Sequence, residues 1–501
     1  MIFLRRLLEL PLLVVLMGTA AASMVLPAAY AVGLGQFDIA RAFFYTACVL
    51  LVLTAMIALA TASHRPHNPA YSQFVSVIGA YLVLPVVLAV PVHQAMPGLP
   101  FGAAWFEMLS CFTTTGATLF ETPNVVAAPL HLWRASVGWM GGFYTLVVAA
   151  AVLAPIGLGG TELLGGQAPG QAGGIQQITR IAEPSQRIAH FSRQLFPVYA
   201  GCTLFLWIGL LIAGDSALVA LCHAMGTLSA SGISSVGGLA GTNSGVWGEA
   251  MIFACLGLAV TRRFWPGAVM MTGQTVKLWQ DPELRLALGI VSIVSAGLVL
   301  RLVLATESES LQGLGAAARQ IGGGAFTTLS FLTTTGFQSA SWPDLGAPGL
   351  VLLGLAMIGG GVATTAGGIK LLRVYALLRH GERELERIVH PHSIGGHGLV
   401  ARRLRREGAY LAWIFFMIFG LSIAAITAAL TLTGLAFDEA LVLGIASLTT
   451  TGQLATVVGD APISYAGLEA STMGILGAAM ILGRLEILAV LAFLTPKGWS
   501  R

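Results

Sequence analysis

The sequence predicts an all-α polytopic membrane protein, in which four span–half-helix–span repeats follow two extra N-terminal transmembrane helices. Three observations carry that expectation. Of the 501 residues, 56% are hydrophobic and only 10% charged, with a mean hydropathy of +0.82. A soluble domain carries roughly 25% charged residues, so a water-soluble enzyme is excluded. Apolar stretches long enough to cross a bilayer recur along the whole chain. Between them, a short hydroxyl-rich sequence ending in glycine recurs four times.

The first stretch, 8–33, follows Arg5 and Arg6 and contains small residues from Ala28 to Ala31, as a secretory signal does. Its apolar character runs on to Gly33 and further spans follow, so it reads as an uncleaved span. With 40–62 it forms the N-terminal pair of helices, residues 1–66. Repeat one, 67–190, has spans at 71–96 and 132–158 around a shorter apolar piece at 102–112. Repeat two, 191–283, has spans at 195–214 and 247–271 around 216–229. Repeat three, 284–408, has spans at 285–305 and 348–378 around 316–332. Repeat four, 409–501, has spans at 409–434 and 466–494 around 437–448. The short pieces are marginal or too short to cross, which makes them re-entrant half-helices. The 62 glycines follow no period, and imply helices that bend, break or approach closely.

Basic residues set the orientation. With both termini inside, twenty Lys and Arg fall on the cytoplasmic side and its flanks, against Arg41, Arg134, Arg301 and Arg319 outside. This is the positive-inside pattern. Its weakest members are Arg262 and Arg263, which sit inside an expected span. Twelve acidic residues, Glu107, Asp215 and Glu249 among them, fall on the outer side. A mouth so biased concentrates cations, although a solvated face accounts equally for any single residue.

The four recurring loops read Thr113-Thr114-Thr115-Gly116, Ser229-Ala230-Ser231-Gly232, Thr333-Thr334-Thr335-Gly336 and Thr449-Thr450-Thr451-Gly452. A pore for a dehydrated cation needs oxygen dipoles at fixed spacing around one axis. Backbone carbonyls of four such loops supply them, and glycine lets successive carbonyls aim inward with no side chain in the path. The half-helices place the negative ends of their dipoles toward the same centre. A single T-T-T-G reads better as a helix C-cap with a left-handed glycine. Four equivalent copies favour four repeats around one pore.

On these loops the chain resembles the Trk/Ktr/HKT superfamily of potassium transporters, and most of all its TrkH branch. Trp139-Met140-Gly141-Gly142 resembles the W-x-G-G element of that branch, and Ile178 to Ala182 its following cytoplasmic loop. The resemblance implies gated, channel-like K⁺ uptake across a bacterial inner membrane, with both termini cytoplasmic. It implies a filter of Thr114, Thr115, Gly116, Ser231, Gly232, Thr334, Thr335, Gly336, Thr450, Thr451 and Gly452. The stretch from Gly359 to Lys370 resembles the family's intramembrane loop, with Ala363 where glycine is usual and Thr364 where serine is usual. The gate residues so implied are Gly359, Gly360, Gly361, Thr364, Thr365, Gly367, Gly368, Lys370 and, from the last span, Arg484 of Gly483-Arg484-Leu485-Glu486. Their glycines weaken helix at a depth where broken backbone survives only inside protein or along a cavity. A close helix crossing through small residues is the plainer explanation of such a stretch. An arginine there costs roughly 2.5–3.5 kcal/mol on insertion scales and has to face water or a partner. The double arginine at 262–263 departs from relatives, so repeat two is expected to pack differently.

The same resemblance implies a homodimer on a cytosolic, nucleotide-binding TrkA-type subunit. The chain has no G-x-G-x-x-G of its own in the internal segments 159–194 and 379–408, so nucleotide control would act in trans. The run Arg402 to Arg406 reads as a contact for anionic lipid or that subunit. No cofactor is expected, only K⁺ as permeant ion. Nucleic acid is excluded by the small net charge of +4. Five isolated cysteines read as small hydrophobes, and His380, His390, His392 and His397 lack zinc-site spacing. A cation-coupled symporter, with H⁺ or Na⁺, is the alternative, but paired midplane carboxylates or inverted repeats are missing. An intramembrane enzyme would need a nucleophile with its base, and no such set is present.

Overall fold

The computed structural model describes residues 12–61, 69–156, 160, 184–267, 278–305, 314–340, 349–390, 406–459, 461–487 and 490, and among these it contains helices and no strand. Arg5, Arg6, the 178–182 loop, Arg402 to Arg405, His392 and His397 lie outside the described residues.

Among the described residues seven helices are long and apolar enough to cross a bilayer: α1 (Leu12–Gly33), α2 (Phe37–Thr61), α3 (Pro69–Ala95), α5 (Ala128–Val148, continuing to Leu153), α6 (Pro184–Ile212), α9 (Pro282–Ala305) and α13 (Arg406–Thr431). Half-helices α4 (Phe101–Phe112), α7 (Ala217–Leu228), α10 (Leu314–Leu332) and α14 (Phe437–Leu448) precede the four hydroxyl–glycine loops. The remaining three of the ten expected spans are shorter than the sequence implied. Helix α8 covers Gly245–Leu256, α11 covers Gly349–Ile358 and α16 covers Ala470–Leu485, while the single turn α15 (Leu454–Val457) lies between α14 and α16. The segment 359–370 separates α11 from α12 (Leu371–Val389).

All four second helices break, each by different chemistry. α5 widens into a π-turn at Ala149–Leu153, a distortion common at functional sites. α8 tightens into a 3₁₀ turn at Gly257–Ala259 and leaves helix before the two arginines. α11 ends at Gly359, whose backbone is left-handed at φ +74°. α16 ends at Glu486, a non-glycine residue at φ +62°.

Close approach explains several of the other glycines. A Cβ on Gly141 of α5 would overlap the carbonyl of Phe112 at the end of α4, and one on Gly142 would lie 2.7 Å from Cα of Ser229. Gly483 of α16 meets the carbonyl of Leu448 in the same way. Second helices therefore touch the ends of the half-helices backbone to backbone. Contacts run from α5 to α7, from α8 to α10, from α11 to α14, and from α16 back to α4. The circle is closed. Helix α1 lies outside it, against α2, α3 and α5.

Candidate functional site

Each half-helix ends in one and the same turn. The N–H groups of Thr115, Ser231, Thr335 and Thr451 donate to the carbonyls of Ser110, Gly226, Ser330 and Ala446 at 2.8–2.9 Å. Those of Thr114, Ala230, Thr334 and Thr450 donate to Cys111, Thr227, Phe331 and Ser447 at 2.9–3.2 Å. This double pairing is the Schellman cap. Its left-handed residue is not the glycine, as it would be in a plain glycine C-cap, but Thr114, Ala230, Thr334 or Thr450, with φ between +53° and +58°. Each such non-glycine residue costs about 1–2 kcal/mol. Gly116, Gly232 and Gly336 follow two residues later, left-handed in turn at φ +71°, +60° and +81°.

Hydroxyls lock the turns. Thr113, Ser229, Thr333 and Thr449 each donate back one helical turn at 2.7–2.9 Å, and each also pairs with the hydroxyl two residues on. The middle position has a different use. Thr334 Oγ1 accepts from Gly367 N–H at 2.7 Å, whereas Thr114 and Thr450 Oγ1 are buried without a partner among the described residues.

The loops meet in order. A Cβ on Gly116 would overlap the carbonyl oxygen of Ser231, and one on Gly232 that of Thr335. On Gly336 it would lie 2.7 Å from Gln453 Oε1. Gly452 meets Ala117, and its N–H donates to Thr115 O at 2.7 Å. Loop one thus touches two, two touches three, three touches four, and four touches one. Gly452 departs from the others: it is not left-handed, and its carbonyl accepts from Tyr465 OH at 3.1 Å.

Directly against this ring lies the segment 359–370. Gly361 N–H donates to Ala259 O at 3.0 Å and Thr364 Oγ1 to the same oxygen at 3.0 Å, so the segment rests on the broken end of α8. Gly367 reaches Thr334, and its missing Cβ leaves room for Thr449 O. Arg484 Nη2 donates to Thr365 O at 2.8 Å and its Nε to Thr145 Oγ1 at 3.0 Å. Lys370, at φ +86°, donates from Nζ to Ala366 O. All the expected gate residues are therefore brought together, and all but Gly368, which is half-buried, are buried.

The sequence left other partners unread. Glu486 pairs with Arg373 at 2.9 Å, and that guanidinium lies 3.8 Å from the ring centroid of Phe415. Arg262 does not sit in a span: it is buried in a 3₁₀ turn and pairs with Glu283 at 3.0 Å. The second oxygen of Glu283 accepts Val362 N–H at 2.8 Å, tying α9 to the 359–370 segment. Arg263 and Thr261 both reach Asp281, at 3.2 and 2.5 Å.

Several acids read as outer charges are structural. Glu107 is fully buried and binds Arg134 at 2.7 Å and Leu119 N–H at 3.0 Å. Asp215 accepts from Asn243 and Ser244 N–H, and Glu249 from Ser339 Oγ and Ala340 N–H. Among the described residues, only Glu107 of these three is offset by a paired positive charge. Of the five free cysteines Cys48 is exposed, against expectation, while Cys111 and Cys222 are buried.

Comparison with known proteins gives the geometry its context. The family model of TrkH, a cation transport protein, matches residues 260–500. The Trk system potassium uptake protein TrkH of Escherichia coli (strain K12) is 29% identical over 466 residues, 92% of either chain. TrkG of the same organism is 26% identical over 448 residues, 85% of either chain. The crystal structure of the potassium transporter TrkH from Vibrio parahaemolyticus superposes with a TM-score of 0.82 at 25% identity, over 99% of both chains. The chain is TrkH-like. In sequence and fold it is similar to the TrkH potassium transporters, and its long apolar helices are those of a multi-pass membrane protein. Across the TrkH-like chain the family match begins at Val260, where α8 breaks, and takes in the 359–370 segment and Arg484.

Proposed function

We propose that this chain is the pore-forming subunit of a Trk-type potassium uptake system, in which K⁺ crosses through the ring of four loops. The observation that carries the reading is the closed order of loop contacts, with left-handed backbone repeated in all four. Residues 67–190, 191–283, 284–408 and 409–501 are then four units about one axis, with 1–66 outside them. Carbonyls of the filter residues replace the water that the ion sheds, and half-helix C-termini favour positive charge at the centre. The 359–370 segment blocks the path below the ring, held there by Arg484, Glu283 and Thr334. Positive charge on Arg484 and Lys370 adds an electrostatic barrier to a cation.

In this reading the protein lies in a bacterial inner membrane with both termini cytoplasmic. It works as a homodimer with a cytosolic nucleotide-binding subunit of the TrkA type. Flux follows the electrochemical gradient of K⁺ and needs no coupling ion. The test is ⁸⁶Rb⁺ uptake into proteoliposomes under an imposed voltage, with K⁺ and Na⁺ as competitors. Uptake that follows voltage and is competed by K⁺ supports the channel-like mechanism. Uptake that needs a proton or Na⁺ gradient would replace it with coupled symport.

A further inference from the structure

The residue after each ring glycine is Ala117, Ile233, Phe337 or Gln453. The first three are apolar and buried, at 1%, 3% and 2% exposure, and point into the protein. Gln453 is different. Its Nε2 lies 3.0 Å from Gly232 O, 3.2 Å from Ser231 O and 3.4 Å from Gly116 O, donating into the carbonyls of loops one and two. Its Oε1 is buried without a partner among the described residues and lies toward loop three.

The empty faces of the three left-handed glycines locate this amide. A Cβ on Gly116 or Gly232 would lie 2.6 Å from Gln453 Nε2, and one on Gly336 would lie 2.7 Å from Oε1. The side chain therefore fills the space that the glycines leave at the centre of the ring. An amide NH₂ is a neutral group with two positive hydrogens. It meets the need of inward carbonyls for positive charge, as a bare cation does, and without it those buried oxygens would stand unsatisfied.

We propose that Gln453 is a competing occupant of the ion site, a built-in amide that holds the carbonyls of loops one and two until a cation displaces it. The proposal rests on the reading of the ring as a K⁺ path. Gln453 opens a four-residue helical turn, Leu454–Val457, and its flexible side chain can withdraw by rotation about its own bonds without moving a half-helix. Each cation that enters then has to match the energy of the amide bonds as well as its own dehydration. The residue thereby sets apparent affinity and discriminates against ions that the carbonyls hold weakly.

The experiment is ⁸⁶Rb⁺ uptake in proteoliposomes over a K⁺ concentration series, comparing the parent with Gln453→Ala and Gln453→Met. The methionine variant keeps length and bulk but has no donor. Losing one or two such bonds should lower the half-saturating K⁺ concentration about tenfold. Both variants should also admit more Na⁺ relative to K⁺. Should the alanine variant fail to assemble, judged by its elution as a single species, the methionine variant carries the comparison. An unchanged half-saturating concentration overturns the proposal. An increased one also overturns it, because the amide would then be a ligand of the ion and not its competitor. Absence of Rb⁺ uptake in the parent itself is a separate result: it removes the transport reading, and the proposal with it.

Discussion

At the scale of single residues, two left-handed positions separated by one residue recur in three of the four loops, and their side chains have opposite requirements. Gly232 has a backbone at φ +60° and faces the carbonyl of Thr335, so Gly232→Ala adds about 1–2 kcal/mol of backbone strain and a direct overlap. We expect it to abolish Rb⁺ uptake or its preference for K⁺ over Na⁺. Gly102→Ala, in α4 with nothing within 4 Å of the new Cβ, should leave both unchanged. Equal behaviour of the two variants in the same flux assay would contradict the ring. The residues two positions before the glycines tolerate more, since Ala230 makes the turn with no hydroxyl. At Thr450 the hydroxyl is unpartnered and the backbone is left-handed at φ +54°. Thr450→Gly should therefore stabilise the protein by about 0.5–1 kcal/mol, the relieved strain less the added chain entropy. Thermal unfolding in detergent measures it, and a lower midpoint would refute the strain argument.

At the scale of elements, the broken second helices and the segment between α11 and α12 carry the gating argument. Arg484 holds the segment through Thr365 O, so Arg484→Ala should raise basal flux severalfold by removing both an anchor and a positive charge. If this variant reaches the membrane and conducts no more than the parent, the gate is elsewhere. Arg373 and Glu486 brace the ends of α12 and α16 as a buried pair. Either single alanine variant strands a buried charge and should cost roughly 3–5 kcal/mol, whereas the double variant should cost less than the sum. Additive losses in a double-mutant cycle would mean that the pair is not coupled. The break positions were only partly legible in the sequence. The glycine-rich stretch at 359–368 announced itself by composition, and Arg484 by the family resemblance of Gly483-Arg484-Leu485-Glu486. Glu486 and Arg373 are 113 residues apart, and nothing local to either names the other. The double arginine signalled a departure at 262–263, but its meaning depended on Glu283 and Asp281 at the start of α9.

At the scale of the whole molecule, four copies of one short signal made the ring readable before any contact was known. Repetition supplied what a lone T-T-T-G lacks. It also misled: counting one glycine per loop assigned Gly452 the same backbone as the other three, and the structure gives it another. The departure was marked in the sequence by Gln453, the one polar residue among the four that follow the glycines. Assembly belongs to this scale as well. The described surface of α12 pairs Arg379 with Glu382 and Arg387 with Glu384, so its charges are partly matched within the helix. We expect the purified protein to be a dimer whose flux responds to nucleotide only when a cytosolic nucleotide-binding subunit is added. Nucleotide-dependent flux from this chain alone, or an active monomer by light scattering, would count against that arrangement.

The central claim is that four loops enclose one cation position, and anomalous diffraction from crystals soaked in Tl⁺ tests it most directly. The account predicts a peak on the axis, within coordination distance of carbonyls from Thr115, Gly116, Ser231, Gly232, Thr335 and Gly336, with the Gln453 amide moved aside. Crystals that show no peak inside the ring, or Tl⁺ bound only at surface carboxylates, would contradict it.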